Sequence, residues 1–132
     1  MRAVVWHGRE DVRVERVPDP RIEAPTDAVV RVTSTAICGS DLHLYAKLWP
    51  VMREGDVIGH EPMGVVEETG AGVTHVSPGD RVVVPFNISC GACWFCARDL
   101  YSQCEATRDE GRLPRMASLL GRGKGASLFG YT

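Results

Sequence analysis

The 132-residue sequence has no apolar run near the ~20 residues that cross a bilayer as a helix. Its first residues, MRAVVWHGR, lack the apolar core of a secretory signal. Neither charge sign dominates: 15 Lys and Arg stand against 17 Asp and Glu, a formal net charge of -2, with a pI near 6.1. That balance supplies no electrostatic footprint for nucleic acid or an anionic membrane. Aromatics are sparse at 7%, and no basic groove accompanies Trp6, Trp49 and Trp94, which argues for packing or cleft walls over a base-stacking platform. Internal repeats and low-complexity segments are missing too. At this length and 44% hydrophobic content the chain buries one core, so a single domain spanning 1–132 is expected.

What the sequence does have is cysteine in a telling arrangement. Cys90, Cys93, Cys96 and Cys104 follow the pattern C-x-x-C-x-x-C-x7-C. Each C-x-x-C step turns two thiolates toward one point, and four sulfur donors at one point make the closed tetrahedral environment of structural zinc. The bacterial ferredoxin run closes after three residues and continues with proline, whereas here seven residues intervene and Glu105 follows. A disulfide framework suits a secreted scaffold, which the N-terminus does not announce. A redox pair at Cys93 and Cys96 would leave the other two cysteines unexplained. The thiol-based site points to a reducing compartment, with the cytoplasm as the expected location.

Around the lobe at 90–104 the pattern is mostly that of strands. Ala3 to Trp6 is apolar, Val12 to Val17 alternates with period two, and Ala28 to Val32, Met63 to Val66 and Arg81 to Val84 are rich in β-branched residues. Pro18 to Pro20, Gly55-Asp56, Gly70 to Gly72 and Pro78-Gly79-Asp80 punctuate them. Such spacing predicts a mainly β, barrel-like domain. The one helical segment expected starts at Ser40, read as its cap, and runs through Tyr45. After Cys104 the chain turns basic and glycine-rich; Gly121 to Gly125 fits neither a phosphate loop nor a dinucleotide fingerprint and reads as loop.

A second constellation lies upstream. Cys38 follows a predicted strand, Ser40, Asp41 and His43 come just after it, and Gly59-His60-Glu61 forms a separate turn-like cluster. Cys38 and His60 offer one sulfur and one nitrogen, donor types of a catalytic zinc that keeps a position open. On a helical turn Ser40 and His43 share a face and suit a proton path, and Asp41 suits a carboxylate orienting a histidine ligand. By spacing alone these remain alternatives to ordinary packing; His7 and His75 read simply as solvated.

The runs Ile37-Cys38-Gly39-Ser40-Asp41-Leu42-His43, Gly59-His60-Glu61-Pro62-Met63-Gly64 and Gly79-Asp80-Arg81-Val82, followed by the four cysteines, resemble the zinc-containing medium-chain alcohol dehydrogenases. Within that family Met1 to Tyr45 is most similar to the glutathione-independent formaldehyde dehydrogenase branch. The resemblance implies a GroES-like, partly open β-barrel with a structural-zinc lobe. It assigns Cys38 and His60 to a catalytic Zn2+, with Glu61 an adjacent carboxylate, Asp41 the partner of the histidine ligand, and Ser40 and His43 a proton relay. It further implies NAD(P) as hydride carrier and a small alcohol or aldehyde as substrate.

The departures shape the expectation as much as the matches. The family's third catalytic-zinc ligand and its Rossmann cofactor domain fall outside the 132 residues, and Gly39 replaces the basic residue with which some relatives meet the cofactor pyrophosphate. The sequence therefore corresponds to about the first third of a family member, a barrel incomplete at its C-terminal side. Three expectations follow: the N-terminal portion of a dehydrogenase, inactive by itself; a zinc-binding interaction protein without catalysis; or a half-enzyme completed by a separate cofactor domain. Open sheet edges would favour association, including homo-oligomers.

Overall fold

The computed structural model describes residues 1–47, 52–85 and 89–105. Trp49 and the glycine-rich basic tail lie outside the described residues. Among the described residues six strands form two three-stranded antiparallel sheets, which do not close into a barrel. β1 (Arg2–Gly8) sits between β2 (Asp11–Arg16) and β4 (Val57–Ile58). β5 (Pro62–Thr69) sits between β3 (Ala28–Thr35) and β6 (Arg81–Val83). The β-branched runs became strands as expected, most of them longer than the apolar stretch that signalled them. β4 was not foreseen, because two residues carry no period.

β1 and β2 form a hairpin that pairs Val4 with Val14 and Trp6 with Val12, and Glu10 closes it in the left-handed region at φ 61. Both Val5 and Trp6 are buried although they point to opposite faces, so the central strand is covered on both sides. Val66 on β5, Leu44 on the helix and Met52 are buried as well, and so are Cys96 and Cys104 in the cysteine lobe. His7 is a correction to the solvated reading: its side chain is 17% exposed, and its ring nitrogens lie 2.9 Å from Glu15 and 3.3 Å from Glu54. Trp6 packs in the core as expected, whereas Trp94 is exposed.

Helix α1 (Gly39–Ala46) corrects the sequence reading at its start. Its cap residue is Cys38, in extended conformation, so Ser40 lies within the first turn. The Asp41 carboxylate replaces the expected hydroxyl by accepting from the Cys38 backbone N–H at 2.6 Å. At the other end the Tyr45 carbonyl, which the helix leaves unpaired, accepts from Glu10 N–H at 2.9 Å. The helix is thereby tied to the β1–β2 hairpin at one end and, through Asp41, to its own entry segment at the other.

Candidate metal centres

The lobe folds through two short 3₁₀ turns, Cys96–Arg98 and Tyr101–Gln103. Gly91 at φ 73 and Asp99 at φ 58 adopt left-handed conformations, which reverse the chain tightly enough to return Cys104 to the others. One sulfur from each of Cys90, Cys93, Cys96 and Cys104 lies within 4.8 Å of all the rest. Cys93 Sγ is 3.4 Å from Cys96 Sγ and 4.0 Å from Cys104 Sγ. A zinc–sulfur bond of about 2.3 Å requires a tetrahedral edge of about 3.8 Å, which these separations bracket. The space between the sulfurs fits one ion and is too small for an iron–sulfur cluster. All five cysteines are free thiols, which overturns the disulfide alternative.

Backbone N–H groups prepare this lobe for thiolates. Cys90 N–H donates to Cys104 Sγ at 3.2 Å, and Cys93 N–H to Cys90 Sγ at 3.4 Å. The Glu105 and Cys96 N–H groups converge on Cys93 and lower its pKa from 9.0 to about 6. Burial dominates at Cys96 and pushes its thiol up to about 12, with the hydrogen bond to Cys93 acting in the same direction. Without an ion, the lobe keeps charge on Cys93 and the proton on Cys96. All four thiolates would be stabilised by a divalent cation held among them, which would level that inequality.

The second cluster gathers residues far apart in sequence. Cys38, His60 and Glu61 each present one donor atom within 4.8 Å of the other two. Gly59, at φ 121, permits the turn between β4 and β5 that brings His60 under the start of α1. Gly64 is needed four residues after His60, since a Cβ there would collide with the Arg31 carbonyl on β3.

The His60 side chain is 8% exposed, and Asp41 Oδ1 stands 3.0 Å from its Nδ1. A carboxylate only accepts, so Nδ1 carries the proton and Nε2 presents its lone pair. That lone pair faces the Ser40 hydroxyl at 3.0 Å and the Glu61 carboxylate at 3.7 Å. Sulfur, imidazole nitrogen and carboxylate oxygen gathered in one cluster form an open three-donor set suited to zinc. Cys38, Ser40, Asp41, His60 and Glu61 thus meet in one place, and His43 stands exposed three residues after Ser40 on α1. The Ser40 hydroxyl bonds to His60.

Beside Asp41 and Gly59 lies an apolar groove of about 360 Å³, lined by Val4, Val12, Ile37, Leu42, Tyr45 and Ile58. Sequence reading missed it, although the adjoining Ile37 is 85% exposed. Its walls come from both sheets and the helix, so no local pattern announces it.

Among the described residues, an open, two-sheet β module carries one four-sulfur cluster and one Cys–His–Glu cluster, each able to hold a metal ion. A family model described as the alcohol dehydrogenase GroES-like domain matches residues 24–130. The zinc-type alcohol dehydrogenase-like protein AdhB of Bacillus subtilis, itself uncharacterized, is 56% identical over 113 residues, covering 86% of this chain and 30% of its own length. The solved structure of alcohol dehydrogenase TADH from Thermus sp. ATN1 matches with a TM-score of 0.73 at 51% identity, over 80% of this chain and 30% of that one. A glutathione-independent formaldehyde dehydrogenase of Pseudomonas aeruginosa is 39% identical over 109 residues, 78% of this chain and 27% of that protein. The chain belongs to the zinc-containing medium-chain alcohol dehydrogenase family. It spans 27% to 30% of the length of these three relatives.

Proposed function

We propose that residues 1–132 form one GroES-like domain, the N-terminal catalytic portion of a zinc-dependent oxidoreductase that moves hydride between a small alcohol or aldehyde and NAD(P). The observation that carries this reading is the meeting of Cys38, His60 and Glu61 around a histidine whose tautomer Asp41 sets. Zinc held there would supply Lewis acidity toward a substrate oxygen. The chain's own residues do the rest. Asp41 keeps the His60 ring aligned and, in the neutral ring, holds the proton on Nδ1 so that Nε2 faces the other donors. Ser40, whose hydroxyl both donates and accepts, sits where a substrate proton would be taken, and exposed His43 would pass it to water. The closed lobe at 90–104 holds structural zinc and takes no part in the chemistry. Free thiols in the lobe suit a reducing compartment, and we place the protein in the cytoplasm.

Cobalt(II) substitution tests the two-centre reading. Titration of the zinc-free chain is expected to give two separable thiolate-to-metal absorption bands, with Cys38→Ser removing one and Cys90→Ser the other. Spectra that neither Cys38→Ser nor His60→Ala changes would remove the basis for the open centre. Hydride transfer also needs a positioned nicotinamide, whose effective concentration is lost when nothing holds it. The 132-residue chain given saturating NAD and a small alcohol should therefore show no steady rise in reduced cofactor; sustained turnover would refute its dependence on further polypeptide.

A further inference from the structure

Beside the three metal donors stands a second alignment, in which Ser40, itself not one of the donors, takes the leading place. The Ser40 hydroxyl lies 3.0 Å from His60 Nε2, and His60 Nδ1 lies 3.0 Å from Asp41 Oδ1. A hydroxyl against a base, and that base against a carboxylate, is the arrangement that activates serine for attack on a carbonyl. Exposure runs the right way along the line: Ser40 is exposed, whereas the side chains of Asp41 and His60 are 13% and 8% exposed. A solute therefore reaches the hydroxyl while the base and its carboxylate are shielded from water. As the first two residues of α1, Gly39 and Ser40 have backbone N–H groups with no acceptor inside the helix, so donors for a developing oxyanion adjoin the nucleophile.

Nε2 has one lone pair, which serves either an ion or the Ser40 proton. We propose that, whenever the open centre holds no ion, Ser40, His60 and Asp41 make it an acyl-transfer site that cleaves small carboxylic esters. Ser40 Oγ attacks the ester carbonyl carbon and its proton passes to Nε2. As the bond to the leaving alcohol breaks, that proton moves to the alcohol oxygen. Water then attacks the acyl-serine by the same route, which releases the acid and restores the hydroxyl. Asp41 is the positioning residue: it fixes the ring and offsets the positive charge the ring takes during the transfer. The proposal shares residues with the hydride-transfer reading but does not rest on it.

Acylation by p-nitrophenyl acetate tests it, on the 132-residue chain dialysed against a mild chelator so that the lobe keeps its zinc. A burst of p-nitrophenolate approaching one per chain is expected, with peptide mass spectrometry placing the acetyl group on Ser40. Ser40→Ala should abolish both. His60→Ala should slow acylation by about 100-fold or more. Asp41→Asn presents an N–H to Nδ1 and moves the ring proton to Nε2, so it should slow acylation as much, with Asp41→Glu recovering part of the rate. His75→Gln, a change at an exposed histidine outside the site, should alter nothing, which separates the site from hydrolysis by free imidazole. Excess zinc should suppress the Ser40 adduct. Retained lobe zinc and an unchanged circular dichroism spectrum establish that each variant is folded; should the His60 or Asp41 variants unfold, Ser40→Ala and the zinc titration decide. Acetyl groups on Cys38 or on lysines in place of Ser40 overturn the proposal, as does a Ser40 adduct indifferent to zinc or to a folded His60→Ala. The cobalt spectra test metal binding separately, since acylation can fail while those bands persist.

Discussion

Asp41 Oδ1 lies 3.0 Å from His60 Nδ1 while its other oxygen accepts from the backbone N–H of Cys38 at 2.6 Å. A single carboxylate therefore ties the histidine and the cysteine of the open centre together, although they sit on separate elements. The side chain is 13% exposed, so water competes weakly for it. The spacing of the donors is thus built into the protein before an ion arrives.

Asp41→Ala removes both bonds. Affinity for the second metal should fall by about 10- to 100-fold, the usual effect of deleting a group that orients a histidine ligand. Competition against a chromophoric chelator measures it. Lobe affinity, read in the same titration, should stay constant; unchanged affinity at the open centre would show that Asp41 does not hold the donors.

The close approach of β3 and β5 supplies a test of the fold that frames that centre. Gly64→Ala drives a methyl group into the Arg31 carbonyl and should cost about 1–3 kcal/mol by the ordinary penalty for overpacking. Gly8→Ala, which meets only open space, should stay within about 0.5 kcal/mol of the parent. Denaturant midpoints distinguish them, and equal midpoints would contradict the tight contact.

In metal-free protein the lobe should titrate unevenly. Cys93, lowered to about 6 by backbone N–H donors, becomes a thiolate before neutrality; Cys96, raised to about 12 by burial, stays protonated. A depressed thiol pKa stabilises the folded lobe at pH above the unfolded value near 9, and this contribution disappears as pH falls through about 6. The raised pKa of Cys96 has the opposite dependence: its favourable share is complete below 9 and is lost as pH climbs toward 12. Thiolate absorbance in the ultraviolet should show one step near pH 6 that Cys93→Ser abolishes. A single step near 9 would mean that the N–H donors do not face the sulfur.

The two centres differed in how far the sequence disclosed them. C-x-x-C turns force convergence locally, so the four-sulfur lobe was legible from spacing alone. Cys38 and His60 meet only because β4 and the Gly59 turn fold one under the other, and resemblance to a family, not spacing, pointed to their pairing. The helix that follows Cys38 was faint because it buries just Leu44, and its cap was misread because cysteine is not a usual capping residue and the capping carboxylate stands three positions inside. β4 was invisible at two residues. The groove was equally hidden, being assembled from both sheets.

Elemental analysis after dialysis against a mild chelator bears most directly on the two-centre assignment. The purified 132-residue chain should keep one zinc, at the lobe where Cys104 is fully buried, and give up the ion of the three-donor centre. Cys104→Ser should abolish that retained zinc while Cys38→Ser leaves it. A chain that holds no zinc, or whose zinc survives Cys104→Ser, would contradict a closed four-thiolate centre in this protein.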